Sequence, residues 1–572
     1  MTSVAAAPEA HVDDGAGDPV SRLPRRPSVP WVLLVVAAVF FGYGVTTVRH
    51  ADISEYGLLA TASPLFGLSI LITAVAFAAA VRRNDIRACI ASTGLMVVAQ
   101  RLVCSVATDS PMYSWTYKHL GVVDYIQHEH ALARGVDIYN GWPGLFALTA
   151  WLSEVTGVSA SSLAHWFTIF FQLLFVALAY AVARAWNASP MVAVTAAFLV
   201  ASLNWVAQDY FSPQATAMLL TAGVLIFVGL SAKRGVGVPL VILFFAAMTI
   251  THQLTPYWVL GAMGLMVISR KLKPSWIIVP LALIVIGQTA YNFGEVSNFT
   301  LFSLDVSQNA KSNIPTVGST GQQFTSYAVR ALSGGVWVLT GICLLWRWRR
   351  KEPFWLFGIL SLSPMLILGG QGYGGEAIFR VFLYSLLGCS IVLAGPAVRM
   401  LQAGVIRFST ATFAIVVATA MSVQGYLGAW FANVMPKEQV DASQTVLEQA
   451  DFPAYLTVAA PVWPQRSTWR YVSYAKFDDG FDDPMIYSAN LVGSHFDTDA
   501  DYQKFTQAIN SRNDASTYLI FTDQMRLYAW YFGILPLDSL PNLRARVAKD
   551  PAWTTVYDAQ GLSVFEHRVA ME

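Results

Sequence analysis

Thirteen stretches of this chain are apolar over lengths that approach or reach a membrane crossing, with polar segments between them. A bilayer core of about 30 Å takes roughly 20 helical residues to span. The stretches run approximately 31–48, 62–81, 88–107, 161–183, 190–207, 214–231, 236–251, 257–269, 275–291, 332–346, 354–370, 378–397 and 409–431. A long polar loop opens after residue 107, and the amphipathic stretch Gly144 to Gly157, carrying Trp151 and Glu154, follows it. So short a segment, bounded by Trp142-Pro143-Gly144, suits the membrane surface better than a crossing. From about Pro436 the chain stays polar, and strand-like runs at Leu456–Ala460, Tyr518–Thr522 and Leu562–Phe565 alternate with helical patterns. The pattern predicts a disordered tail over 1–30, an α-helical polytopic membrane domain over 31–435 with an outer loop at about 107–160, and a small α/β soluble domain over 436–572.

Composition agrees with the bilayer as main solvent. Of 572 residues, 55% are hydrophobic and 12% charged, with a mean hydropathy of +0.49, outside the soluble range. A net charge of +1 leaves no electrostatic footprint for nucleic acid. The basic residues sort by position. Every second loop holds them: Arg82, Arg83 and Arg87; Arg184; Lys233 and Arg234; Arg270, Lys271 and Lys273; Arg347, Arg349, Arg350 and Lys351; Arg399 and Arg407. The positive-inside rule then places the amino terminus in the cytoplasm and, after thirteen crossings, the carboxyl-terminal domain outside a plasma membrane. No small-x-small cleavage motif follows the first apolar stretch, so it reads as an uncleaved helix. The four cysteines lie inside apolar stretches without paired spacing and read as small apolar side chains.

Four polar sequences stand out, all on the expected outer side. The loop carries Lys118, His119, Asp124, His128 and His130; were Leu120 to Arg134 helical, Asp124 and His128 would share a face. A carboxylate there could take a proton from a hydroxyl, or could instead cap the loop or pair with Lys118. His128 and His130 point to different sides of a helix and make no metal pair. Gln208-Asp209-Tyr210-Phe211-Ser212-Pro213 and Thr251-His252-Gln253-Leu254-Thr255-Pro256 begin helices through their prolines. That leaves Asp209, Tyr210, His252 and Gln253 as candidate contacts. In Gly370-Gln371-Gly372-Tyr373-Gly374-Gly375-Glu376, followed by Arg380, the glycines let backbone approach a ligand and the next helix offers its positive end to an anion. Arg380 could hold two phosphate oxygens. It could equally pair with Glu376 at i, i+4. Arg101 lies within the third apolar stretch, where a lone charge is expensive, and is expected to snorkel outward or pair with an acid.

Together, Asp124 in a long outer loop, the amphipathic stretch beside it, Tyr373-Gly374-Gly375-Glu376 with Arg380, and the outer terminal domain resemble the GT-C superfamily of integral membrane glycosyltransferases. The resemblance is closest to actinobacterial enzymes that use polyprenyl-phosphate sugars, and it covers most of residues 88–572. In that family the loop usually follows the first helix; here it follows the third. The resemblance implies inverting transfer from a polyprenyl-phosphate sugar, such as mannose or arabinose, to a glycan or lipid acceptor. Asp124 would be the base; Arg380, Tyr373, Gly374 and Gly375 would hold the phosphate. Lys118, His119, His128, Asp209, Tyr210, His252, Gln253 and Glu376 would line the substrates. Some members use a divalent cation, for which this loop shows no ligand set. Trp463, Trp469, Tyr471 and Tyr474 would offer stacking surfaces to sugar rings, or else belong to an ordinary core. A lipid-linked saccharide flippase would need charged residues along a membrane path, which most stretches lack, and an envelope-assembly scaffold would need only the outer domain.

Overall fold

The computed structural model describes residues 28–234, 237–297, 317–369, 376–512, 514–559 and 561–568. All thirteen apolar stretches are helical. Among the described residues, eight helices are long and apolar enough to cross a membrane: Val29–His50, Pro64–Arg82, Ile86–Val106, Ala160–Ala185, Pro213–Ser231, Thr320–Arg349, Ala377–Leu401 and Val405–Asn433. The other five stretches form the shorter helices Pro190–Leu203, Val238–Thr249, Thr255–Ile268, Ser275–Tyr291 and Trp355–Gly369. Serine and proline punctuate several starts as expected: Ser63 and Ser189 each accept a bond from the first turn of a helix that opens on proline. The cysteines are all free; Cys89, Cys104 and Cys389 are buried.

Arg101 is the charged residue at the centre of this bundle. A single π-turn, Val98–Leu102, interrupts its helix. Its Nε donates to Asp209 Oδ2 at 2.6 Å, Nη1 to Gln100 Oε1 at 3.1 Å and Nη2 to the Asn204 carbonyl at 2.5 Å. Tyr426 lays its ring 3.6 Å from the guanidinium carbon and donates its hydroxyl to Asp209 Oδ1 at 3.1 Å. Pairing, and not snorkelling, is therefore how the chain accommodates this charge. Asp209, expected among substrate contacts, is fully occupied here.

The polar loop folds into a helix, Ser114–Glu129, that starts six residues before the expected Leu120 and ends where His130 turns left-handed. The amphipathic helix Gly144–Thr156 follows, buries Leu145, Phe146 and Ala150, and exposes Leu148, Trp151 and Val155 along one stripe, as an interfacial helix should. The terminal domain opens with helix Lys437–Gln449 and builds a four-stranded sheet in the order β1-β2-β4-β3, with β1 Ala454–Val458, β2 Ser516–Thr522, β3 Trp553–Ala559 and β4 Leu562–His567. β1 and β2 are parallel, the other pairs antiparallel. The sequence pattern misses β3, which buries little beyond Trp553 and so has no apolar run to betray it.

The Arg101 cluster yields a prediction. Arg101→Met leaves Asp209 buried without its cation and should cost about 3–5 kcal/mol. Arg101→Met combined with Asp209→Leu should recover most of that loss, as read by thermal unfolding in detergent.

Candidate active site

The loop helix is held between the terminal domain and the helical bundle. On one side, Gly121 lets the Arg466 carbonyl approach so closely that a Cβ would lie 1.9 Å from its oxygen. One turn further, Asp124 Oδ2 accepts the Trp469 backbone N–H at 2.7 Å, and the His128 ring stacks on Trp469 at 4.0 Å. Spacings of three and four residues put all three on one face. Asp124 is half-buried. Burial raises its carboxyl above the usual range, against the pull of the Trp469 N–H and His128.

Around this seam lies a buried ionic network. Arg466 Nη1 donates to Asp137 Oδ2 at 2.6 Å, and Nε and Nη2 form a fork on Asp482 at 3.0 and 3.1 Å. Lys118 closes on Asp482 at 2.5 Å, not on Asp124. Tyr471 donates to Asp137 Oδ2 at 3.1 Å, while Asp137 Oδ1 accepts the Tyr139 and Asn140 backbone amides. Burial by itself would raise Asp482; Lys118 and Arg466 outweigh it and hold that carboxyl well below the usual range. Tyr471, Tyr474 and Trp463 are buried in the domain core, which corrects their expected role as sugar platforms. Trp469 is half-buried under His128.

The opposite side of the loop helix carries His119, whose Nδ1 meets the Phe211 carbonyl at 2.7 Å beneath the parallel ring of Tyr210. A carbonyl only accepts, so Nδ1 bears the hydrogen. His252 has the reverse tautomer. Its Nδ1 accepts the Thr255 backbone N–H at 3.2 Å and contacts the Thr255 hydroxyl at 2.9 Å, leaving the hydrogen on Nε2. The turn holding it is fixed by Gly144, whose amide donates to the Ile250 carbonyl at 3.0 Å and whose missing Cβ would lie 2.4 Å from Thr251 Oγ1. Burial pushes His119 down to about 4 and His252 down to about 3, with Arg380 and His119 adding to the latter.

Arg380 is buried in the first turn of helix Ala377–Leu401. Its Nε donates to Gln214 Oε1 at 3.1 Å and its Nη1 lies 3.0 Å from Glu376 Oε2. The i, i+4 pair anticipated as the plain alternative therefore forms. Gln214, itself buried, keeps its Nε2 without an acceptor. Arg380, Gln214 Nε2 and His252 Nε2–H make a donor-rich corner beside a helix amino terminus, the chemistry an anion requires. Tyr373, Gly374 and Gly375 lie outside the described residues, and Gln253 stands in the turn beside His252. Asp124 thus meets the terminal domain, whereas Arg380 meets Gln214; the two are held by different elements.

Glu295 escaped the sequence reading. It follows helix Ile278–Tyr291 in a short turn, and its Oε2 and the Asn292 Oδ1, both lacking donors, converge on Gly141. Burial raises its carboxyl above the usual range, opposed by the Gly135 N–H. No motif surrounds it in Asn292-Phe293-Gly294-Glu295-Val296-Ser297, so the sequence carries no local signal for it. Among the described residues no group of three or more His, Cys, Asp or Glu side chains is arranged to hold a metal ion.

Two histidines buried as neutral rings make stability depend on pH. Each has a folded-state value below its unfolded one, so the unfolded chain gains protons first and stability falls as pH drops from about 6.5 towards 4, by about 1.4 kcal/mol per unit for each ring. His119→Gln should flatten this acid loss by about half, measured as melting temperature against pH.

No family model and no curated protein matches the sequence. Among solved structures, the chain is similar to the oligosaccharyltransferase of Archaeoglobus fulgidus tethered with an acceptor peptide, at 11% identity over 84% of this chain and 74% of that one, with a TM-score of 0.49. It is also similar to ArnT from Cupriavidus metallidurans, at 11% identity and 84% of this chain: bound to undecaprenyl phosphate, with 98% of that chain and a TM-score of 0.47, and in the apo state, with 96% and 0.43. These structural neighbours are GT-C glycosyltransferases. Likeness at this identity, with TM-scores under 0.5, transfers neither substrate nor residue roles to this chain.

Proposed function

We propose that this chain is a membrane glycosyltransferase that moves a sugar from a polyprenyl-phosphate donor to a glycan or lipid acceptor on the outer face of the membrane. The observation that carries the reading is the buried donor corner of Arg380, Gln214 and His252, where a bundle helix presents its amino terminus. A lipid phosphate arriving there meets a fixed cation, an amide lacking an acceptor and a neutral imidazole N–H.

Asp124 is the proposed base. Asp137, Asp209, Asp482 and Glu376 each lie against a lysine or arginine, which occupies the carboxylate with a fixed cation. Asp124 has no such partner and its carboxyl is raised, which brings it nearer the working range of a general base. In the reaction the acceptor oxygen bonds to the anomeric carbon from the face opposite the phosphate. The bond from that carbon to the phosphate oxygen breaks, and its electron pair leaves with polyprenyl phosphate. The acceptor proton passes to Asp124, and the new negative charge on phosphate is met by Arg380 and Gln214. One inversion results. Glu295 is the second candidate for the base, because its Oε2 is buried without a donor.

Transfer of labelled sugar from synthetic polyprenyl-phosphate mannose and arabinose tests the assignment. Asp124→Asn should lower kcat about 100- to 10,000-fold. Arg380→Gln should weaken donor use by roughly 10- to 100-fold, the loss of a hydrogen bond to a charged group. Full activity in Asp124→Asn with loss in Glu295→Gln would move the base to Glu295. Absence of transfer by the native chain from every such donor would remove the enzyme reading.

A further inference from the structure

Helix Pro213–Ser231 begins beside the donor corner and, at 1.5 Å per residue, ends about 28 Å away. Helix Thr255–Ile268 likewise starts at His252 and runs to the same far end. There the two helices, the start of helix Val238–Thr249 and the turn through residues 270–276 enclose an open groove of about 970 Å³. Its volume lies at the upper end of sites that hold organic ligands.

The walls and the rim differ in chemistry. Val238, Val267, Leu272 and Trp276 give an apolar lining, and Arg270 and Lys273 stand at the edge. Among the described residues neither cation forms an ion pair, and no acidic side chain lines the groove. Trp276 is 58% exposed, and the exposed Ile268 and Val279 continue the apolar surface away from it. Inorganic phosphate would use the two charges and leave the walls wet. A phospholipid uses both, with its headgroup phosphate at the rim and its first methylenes against Trp276.

We infer that this groove binds one anionic membrane phospholipid by its headgroup, at the end of the bundle remote from the candidate active site. The site rests on none of the residues assigned to sugar transfer, so it stands or falls separately.

Native mass spectrometry of the full chain released from detergent, with phosphatidylglycerol and phosphatidylcholine offered together, tests it. The native chain should retain one phosphatidylglycerol in preference. Arg270→Gln with Lys273→Gln should weaken that retention by roughly 30-fold, about tenfold or less for each surface charge, while Arg349→Gln with Arg350→Gln at another basic turn should leave it intact. Trp276→Ala, which leaves the charges in place, should also shorten retention. Equal retention of both lipids by the native chain, retention unchanged by the Arg270 and Lys273 substitutions, or displacement by millimolar inorganic phosphate would overturn the assignment.

Discussion

One guanidinium ties the two halves of the molecule together. Arg466 belongs to the terminal domain, yet it lies against Asp137 of the loop as well as Asp482 of its own domain. Its carbonyl also presses on Gly121. A buried charge of this kind costs more in desolvation than its attraction returns unless every lone pair around it is used. Here Lys118, Tyr471, Asn140 and the backbone amides of the Asp137 turn complete the set. Removing Arg466 leaves Asp137 without its cation, and removing a neutral donor leaves a buried polar atom unsatisfied, so the network acts as a unit. The position of the loop helix, and with it Asp124 and His119, follows from that unit.

Charge is managed differently on the two sides of the loop helix. At the seam with the terminal domain, cations and carboxylates neutralise one another in pairs. Towards the bundle, His119 and His252 are kept neutral by burial, so Arg380 is the strong cation there, and Glu376 offsets it only from a partly exposed position. Among the described residues the corner thus holds one strong cation beside two neutral imidazoles. Such an arrangement favours an anion that brings its own hydrophobic tail.

Much of this architecture was legible because a bilayer demands long apolar helices: among the described residues eight of the thirteen apolar stretches form helices long enough to cross, and the other five form shorter ones. The amphipathic helix was legible from its spacing: Leu148, Trp151 and Val155 stand exposed on one stripe. β1, β2 and β4 are apolar runs and could be seen; β3 lies at an edge and could not. The candidate site was legible as a set of residues but not as an arrangement. Asp209 and Arg101 looked like separate features because 108 residues divide them, and nothing local says that one neutralises the other. Tyr471 and Tyr474 fall to the core reading, a choice the sequence leaves open because aromatic content alone does not distinguish a core from a binding surface. Glu295 has no motif around it; only its missing hydrogen-bond donor draws notice.

The Trp469 amide that holds Asp124 lies 345 residues farther along the chain. A ribosome delivering this protein therefore produces the loop helix long before the group that fixes its carboxylate exists. Until the domain that carries Arg466 and Trp469 has been synthesised and folded, the seam around Gly121 stays open and the carboxylate lacks its anchor. A chain that stops short of Trp469 would carry the loop helix without the amide that holds its carboxylate. The loop helix and the amide that fixes its carboxylate are thus separated in the order of synthesis as well as along the chain.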